Sequence, residues 1–404
     1  MENRGFQRWI FFAFFIVIGQ AILYLEKLPT LDMIYSSLRT MIFPILCLQY
    51  IQKKVHWNIL YTLLLLYFGV ILYSSLIHHS ESLVPLISLG MTSASLLLCM
   101  AIGSKRNFNL TLKIFRNVFS IYVLLNFIFI ILYPDGVWMD TIGTTTLEEV
   151  GRYIIGGNYN QMGASMLCAS VVNSVYYFQT GKGKALLILI IVISVTSLFI
   201  VGSKTSLVGI LLFSIFLMLK NSKVKVLSLN AFIVFYFVFQ ILAVFMLSDL
   251  SNNSIARYIV EDVLQKDMSF SSRTNIWFRT AIAVAESPLL GYGLQEPEWN
   301  QLYINGVSTH NYIYSVLMKG GFVLLACLVF IIISVMRRER KYRSLASITA
   351  LFGLWILLFM MIMEVYNIIY IVFLLGLLTC LYTSQKNNVL NEKNKCNNTS
   401  LQYS

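Results

Sequence analysis

Apolar residues recur along the whole chain in blocks separated by short polar punctuation. Many of these blocks reach the length of about 20 helical residues that a bilayer core requires. Ala185–Val201 and Phe322–Val335 run apolar without alternation. Strands of a membrane barrel would alternate apolar and polar positions, so the blocks predict helices. The spans drawn from the pattern are Trp9–Leu25, Met33–Ile51, Trp57–Ile77, Leu83–Ile102, Val118–Tyr133 and Asn160–Gln179. Ala185–Val201, Ser206–Leu219, Val226–Leu247, Asn311–Val335, Leu345–Met363 and Asn367–Tyr382 complete them. That is about twelve spans at roughly 20 residues each. The first has the look of a signal sequence but lacks a small-residue cleavage site and leads into many similar blocks, so it reads as retained. One long polar interruption, Ser248–Thr309, splits the apolar pattern.

Charge orients these spans. With the N-terminus inside, all but Lys27, Arg39, Arg152, Lys204, Arg257, Lys266, Arg273, Arg279 and Lys319 of the 30 basic residues fall in inner segments. Of the 18 acidic residues only Glu2, Glu339 and Glu392 do. Basic loops on one side are the mark of the cytoplasmic face. The expectation is therefore an all-α integral membrane protein of about 12 transmembrane helices, with both termini cytoplasmic and one large external loop, 248–310, carrying short helices. Residues 1–383 form the polytopic domain, and the polar tail 384–404 reads as disordered. The net charge of +12 follows from this topology and gives no reason to invoke nucleic acid. Five of the six cysteines lie in apolar spans and Cys396 in the tail, with no metal-ligand spacing.

The outward basic residues are candidates for chemistry. Arg39, Lys204 and Lys319 stand where ionisable groups face a cavity and pair, or else snorkel to the interface. Lys204, in the tight turn Gly202-Ser203-Lys204-Thr205, favours function. Within the external loop Ser271 or Ser272 caps a helix from near Arg273. Trp277, Ala281 and Val284 form its apolar stripe, with Arg273 one turn before Trp277. Such a helix lies along the membrane interface or packs on the bundle. Ser287-Pro288 ends it, and Gly291-Tyr292-Gly293 makes a turn. Arg273 and Arg279 carry the planar fork that suits phosphate oxygens. His310 precedes a helix whose free N–H groups favour an anion, and histidine is suited to moving a proton near neutral pH.

Taken in order, Arg273–Trp277–Ala281, Ser287-Pro288, Gly291-Tyr292-Gly293, His310-Asn311-Tyr312 and Gly320-Gly321 resemble the O-antigen polymerase and O-antigen ligase superfamily. Upstream, Asn158-Tyr159-Asn160-Gln161-Met162-Gly163 is similar to the family's Asn-rich start of a central span. Gly202-Ser203-Lys204-Thr205 is similar to its Ser-x-Ser-Arg turn. Lysine stands where arginine is usual, leaving a point-charge contact with phosphate and no bidentate one.

The resemblance implies a C-type membrane glycosyltransferase working on undecaprenyl-pyrophosphate-linked oligosaccharide at the outer face of the cytoplasmic membrane, with no nucleotide sugar, metal or other cofactor. A polymerase joins repeat units into capsular, exopolysaccharide or O-antigen chains. A ligase passes the finished glycan to another acceptor. The catalytic residues it implies are His310 as base and Arg273 at the pyrophosphate, with Glu296, Glu298 and Glu286 as alternative bases. Lys204, Arg279, Arg152, Asn158, Asn311 and Ser203 would hold pyrophosphate and sugar. The partners implied are membrane lipid, a chain-length regulator and a flippase. The abundance of Ile, Lys and Asn suggests an AT-rich genome and leans toward capsule or exopolysaccharide. Two readings from other classes remain open. A flippase fits the span count but lacks symmetry between the halves and has no need of the long outer loop. A structural or sensory protein leaves Lys204 and the Arg–His loop without a reason.

Overall fold

The protein is described by a computed structural model covering residues 2–142, 148–245, 273–341 and 344–401. Four helices open the chain: α1 (Glu2–Ile22), α2 (Pro29–Gln52), α3 (Ile59–Ile77) and α4 (Leu83–Leu132). A small sheet follows, β1 (Trp138–Ile142), β2 (Glu148–Tyr153) and β3 (Gly157–Asn158). Then come α5 (Met162–Thr180), α6 (Lys184–Ile200), α7 (Lys204–Met218) and α8 (Ser222–Phe245). The outer segment supplies α9 (Arg273–Glu286) and α10 (Pro297–Ile304), and α11 (Tyr312–Lys341), α12 (Leu345–Met360) and α13 (Ile369–Leu401) close the fold.

Among the described residues seven helices, α1, α2, α3, α4, α8, α11 and α13, are long and apolar enough to cross a membrane, which makes this a multi-pass membrane protein by length and composition. The larger number expected from the pattern differs for physical reasons. Two expected spans fall in α4, which breaks at Asn107. There the Asn107 side chain accepts from Leu110 N and caps the second half. α6, α7 and α12 are shorter apolar helices, and α5 carries Ser165, Ser170, Asn173 and Ser174 in its interior. α13 continues to Leu401, through the segment where composition predicts a disordered tail. Arg257, Lys266, Ser271 and Ser272 lie outside the described residues.

Packing centres on α4, α5, α12 and α13. α4 touches α1, α2, α3, α5, α6 and α13, while α12 touches α5, α7, α8 and α13. Lipid is as apolar as leucine, so close van der Waals fit rather than water exclusion selects these contacts. Phe14 meets Phe115 with ring centroids 4.3 Å apart, and Phe216 stacks on Phe352 at 3.8 Å. Small residues let backbones approach: a Cβ on Gly163 would overlap Ser206, and one on Gly209 would overlap Met360. This draws α5, α7 and α12 together beneath the site.

The fold is all-α in class, with one small sheet beside the helices. β1, β2 and β3 pair antiparallel, with Trp138 opposite Arg152 and Arg152 opposite Asn158. Backbone bonds from Tyr24 N to Ile154 O (2.8 Å) and Gly156 N to Ile22 O (2.8 Å) tie the sheet to the end of α1.

α11 breaks at Gly320 and Gly321. Phe322 N and Val323 N, released from the helical ladder, donate to Pro288 O (2.8 Å) and Leu289 O (3.3 Å), and Tyr292 N donates to Met318 O (2.6 Å). The turn after α9 is thus seated in the break, the kind of insertion that kinks a helix.

Candidate functional site

The site forms where four separated segments meet: the approach to α5, the start of α9, the residues before α11, and the α12–α13 connection. At its centre is Glu364, buried on that connection. Its Oε2 lies 3.6 Å from Arg273 Nη2 and accepts from Asn160 Nδ2 at 3.4 Å. Its Oε1 lies 3.4 Å from His310 Nδ1 and accepts from Val365 N at 3.3 Å. The His310 contact is a close approach without hydrogen-bond alignment. A carboxylate taken out of water persists when paired and hydrogen-bonded, and Glu364 is both.

Each partner is held from behind. In α9, Arg273, Trp277, Thr280 and Val284 fall at helical spacing on one line. Trp277, Thr280 and Val284 are buried, with Ile276 and Ala283 beside them. Ala281, expected in this stripe, is exposed because the buried face turns toward Ile276 and Ala283. Arg273 therefore extends the packed face of α9 toward the carboxylate, while Arg279 projects on an exposed face away from it. The buried Trp277 Nε1 donates to Thr309 O at 2.9 Å, fixing the residue next to His310.

His310 has φ +47°, a left-handed conformation uncommon for residues other than glycine. The following Asn311 holds it there. Asn311 is fully buried. Its Oδ1 caps α11 by accepting from Tyr314 N at 3.1 Å, and its Nδ2 donates to Ile362 O at 3.1 Å. Tyr312 N donates to Met361 O at 2.9 Å. These bonds lash the His310 segment to the Glu364 segment. Strained backbone held by surrounding bonds is typical of functional sites. With Nδ1 turned to the carboxylate, Nε2 is the nitrogen directed away from it.

The α5 approach adds the third wall. Asn158 Oδ1 accepts from Asn160 N at 3.0 Å, and Gln161 Nε2 donates to Val365 O at 2.9 Å. Ser206 of α7 bonds Tyr366 OH at 3.0 Å and reaches Asn160 O at 3.4 Å. Ser203, just before α7, is fully buried with its Oγ unbonded among the described residues. Gly202 takes φ +73°, which makes the tight turn. Lys204 heads α7, exposed and partnered.

Of the expected residues, the structure gathers Arg273 and His310 on one carboxylate and sets Asn311 behind them. Asn158 joins through Asn160. Arg152 is committed elsewhere: its Nε pairs with Asp140 at 2.8 Å, which also pairs with Lys27 Nζ at 2.5 Å. Hydrogen bonds from Lys27, then Arg152, hold the Asp140 carboxyl down at about 2. The alternative bases Glu286, Glu296 and Glu298 are exposed, and Glu286 accepts instead from Tyr292 OH at 3.3 Å. Glu364 is the residue the sequence reading missed. Its signal was an acidic residue at the outer end of Leu345–Met363, on the same side as His310 by the charge rule. Arg39 resolves as a buried cation among hydroxyls, bonding Ser88 Oγ at 2.7 Å and Thr92 Oγ1 at 3.0 Å.

No group of three or more potential metal ligands occurs among the described residues. A paired histidine beside a guanidinium suits proton transfer next to a developing anion. No curated protein sequence matches the chain. Residues 189–329, from α6 to just past the α11 break, match a family model described as O-antigen ligase. That segment contains Lys204, Arg273 and His310, and through it the chain is similar to the O-antigen ligase family.

Proposed function

We propose that this protein is a glycosyltransferase of the polymerase type, joining polyprenyl-pyrophosphate-linked oligosaccharide repeat units at the outer face of the cytoplasmic membrane. The observation that carries the reading is Glu364, set 3.4 Å from His310 and 3.6 Å from Arg273. In the reaction the acceptor hydroxyl must lose a proton while the donor's diphosphate gains charge. His310, oriented by Glu364, takes the proton. Arg273 trades its carboxylate for diphosphate oxygens, where its fork stabilises the leaving group, with Lys204 as a second charge. Asn158, Asn311 and Ser203 support the walls, and Arg279 reaches sugar or phosphate from the exposed face. Arg152 serves through the sheet that faces Asn158.

The test is in vitro. Purified protein in nanodiscs receives a lipid-pyrophosphate-linked repeat unit alone, and products are resolved as a ladder. His310→Ala and Arg273→Ala are expected to abolish the ladder while the protein remains folded in the disc. Normal polymer amount and length in both variants would overturn the assignment. No ladder from folded wild type, with transfer appearing only when a different acceptor is supplied, would replace the polymerase by a ligase.

A further inference from the structure

Three cavities follow one another along the same side of the bundle. The first, about 490 Å³, is an apolar groove among α2, α3 and α4, bounded by Cys47, Trp57, Leu64 and Phe68. The second, about 250 Å³, begins at Phe68 and Ile71 and is walled by Tyr312, Ser315 and Lys319 of α11. The third, about 160 Å³, shares Leu294, Ser315, Lys319 and Val365 with the second and opens among Tyr292, Trp299 and Ser308 of the outer segment. Phe68 joins the first to the second, and four residues join the second to the third.

The chemistry changes along this path. The groove is almost wholly apolar and follows α3 for about 10 Å at 1.5 Å per residue between Tyr61 and Phe68. Lys319 brings an ammonium to the junction of the next two cavities, and no carboxylate among the described residues pairs with it. An intramembrane cation facing a cavity marks a site for an anion. Beyond it Tyr292 and Trp299 stand 5.1 Å apart as an aromatic platform, with Asn300 beside them. The far end borders the catalytic cluster, because Ser308 and Thr309 precede His310 and Val365 follows Glu364.

We propose that this path is the acceptor site, taking a second polyprenyl diphosphate-linked saccharide. Its tail lies in the α2–α3–α4 groove, its diphosphate meets Lys319, and its sugars rest on Tyr292 and Trp299 with the terminal hydroxyl toward His310. The assignment rests on the glycosyl-transfer reading and deepens it. An acceptor that carries its own lipid diphosphate is what a polymerase needs. The donor approaches Glu364 from the other flank, where α7 and α9 present Lys204 and Arg273. In the transfer, the acceptor hydroxyl oxygen bonds to the donor's anomeric carbon as that carbon's bond to diphosphate oxygen breaks. The hydroxyl proton passes to His310, and the donor's polyprenyl diphosphate leaves with the bonding electron pair.

The test uses geranylgeranyl diphosphate carrying a diazirine on its distal isoprene, photolysed with full-length protein in nanodiscs and mapped by peptide mass spectrometry. Adducts are expected on α3 near Phe68 and on the facing part of α4. Lys319→Met is expected to lose at least tenfold of this labelling, Lys319→Arg to keep it, and Arg273→Ala to leave it unchanged. The same variants are then assayed for polymer, where Lys319→Met should raise the acceptor concentration for half-maximal rate at least tenfold. Equal labelling of Lys319→Met and wild type would overturn the site. So would equal labelling by the corresponding diazirine prenyl alcohol, since the groove would then be taking any apolar chain. Labelling as expected without any ladder from wild type would count against the polymerase reading while leaving the lipid-diphosphate site standing.

Discussion

Replacing Glu364 with glutamine removes one charge and almost no volume. The amide that results keeps one acceptor oxygen, for Val365 N or for Asn160 Nδ2, and turns an NH2 to the other, so one neutral bond of the α12–α13 connection is kept. What disappears is the attraction for His310 and Arg273. At 3.4 Å and an effective dielectric of about 20, one such pair is worth about 5 kcal/mol before screening. His310 keeps about a quarter of its side chain in solvent, which lowers that figure. A loss of about 3–4 kcal/mol of transition-state stabilisation is a drop of about 10²–10³ in rate at 1.36 kcal/mol per tenfold, within the range general-base catalysis supplies. The assay is initial rate of polymer formation in nanodiscs at saturating lipid-linked repeat unit, for Glu364→Gln, His310→Ala and the double variant. Groups that act as one unit are not additive, so the double variant should be no slower than His310→Ala alone. Wild-type rate in Glu364→Gln would refute the dyad. So would a double variant whose loss is the product of the two single losses.

Other consequences are measurable in the same discs. Asp140 is held at about 2, below the usual aspartate value of about 3.9, so its ion pairs stabilise the sheet above about pH 4 and release it as pH falls toward 2; Trp138 fluorescence should report this transition, and Asp140→Asn should remove it. Trp277→Phe loses the bond to the Thr309 carbonyl, with an expected cost of about 0.5–1.5 kcal/mol in thermal unfolding and a roughly tenfold rate loss as His310 loosens; unchanged rate would remove Trp277 from the site's support. Gly321 has φ +58° and ψ −157°, a region almost confined to glycine, and a Cβ there would meet the Leu289 backbone. Gly321→Ala should therefore destabilise by about 1–3 kcal/mol, whereas Gly320→Ala, extended at φ −161° and facing only the Leu324 side chain, should cost less; equal effects on thermal unfolding would argue that the break does not depend on its backbone geometry.

The helices were legible because lipid demands long apolar blocks, and Gly320-Gly321 and Asn107 mark breaks within two of them. Arg273 and His310 stood out because a guanidinium opens the helix that carries the Trp277 stripe and an imidazole stands just before an apolar span. Glu364 did not, since a single carboxylate after a span carries no periodic or local partner; only the fold brings it to residues far away in the chain. The small sheet was hidden for a related reason. Its stability comes from Asp140, Lys27, Arg152 and the backbone of Tyr24, contacts that cross between distant segments. Ala281 shows the limit of spacing alone: it fits the helical period, yet neighbouring packing rotates the buried face past it.

The carboxylate that joins the guanidinium and the imidazole is encoded after both of them. A ribosome delivering this chain to the membrane releases Arg273 and His310 first, and the site stays unfinished until α12 and the turn bearing Glu364 have followed them. Chains arrested or cleaved before that point carry the family-matched segment intact but lack the residue that organises it. The cluster around Glu364 is thereby completed only at the last stage of synthesis.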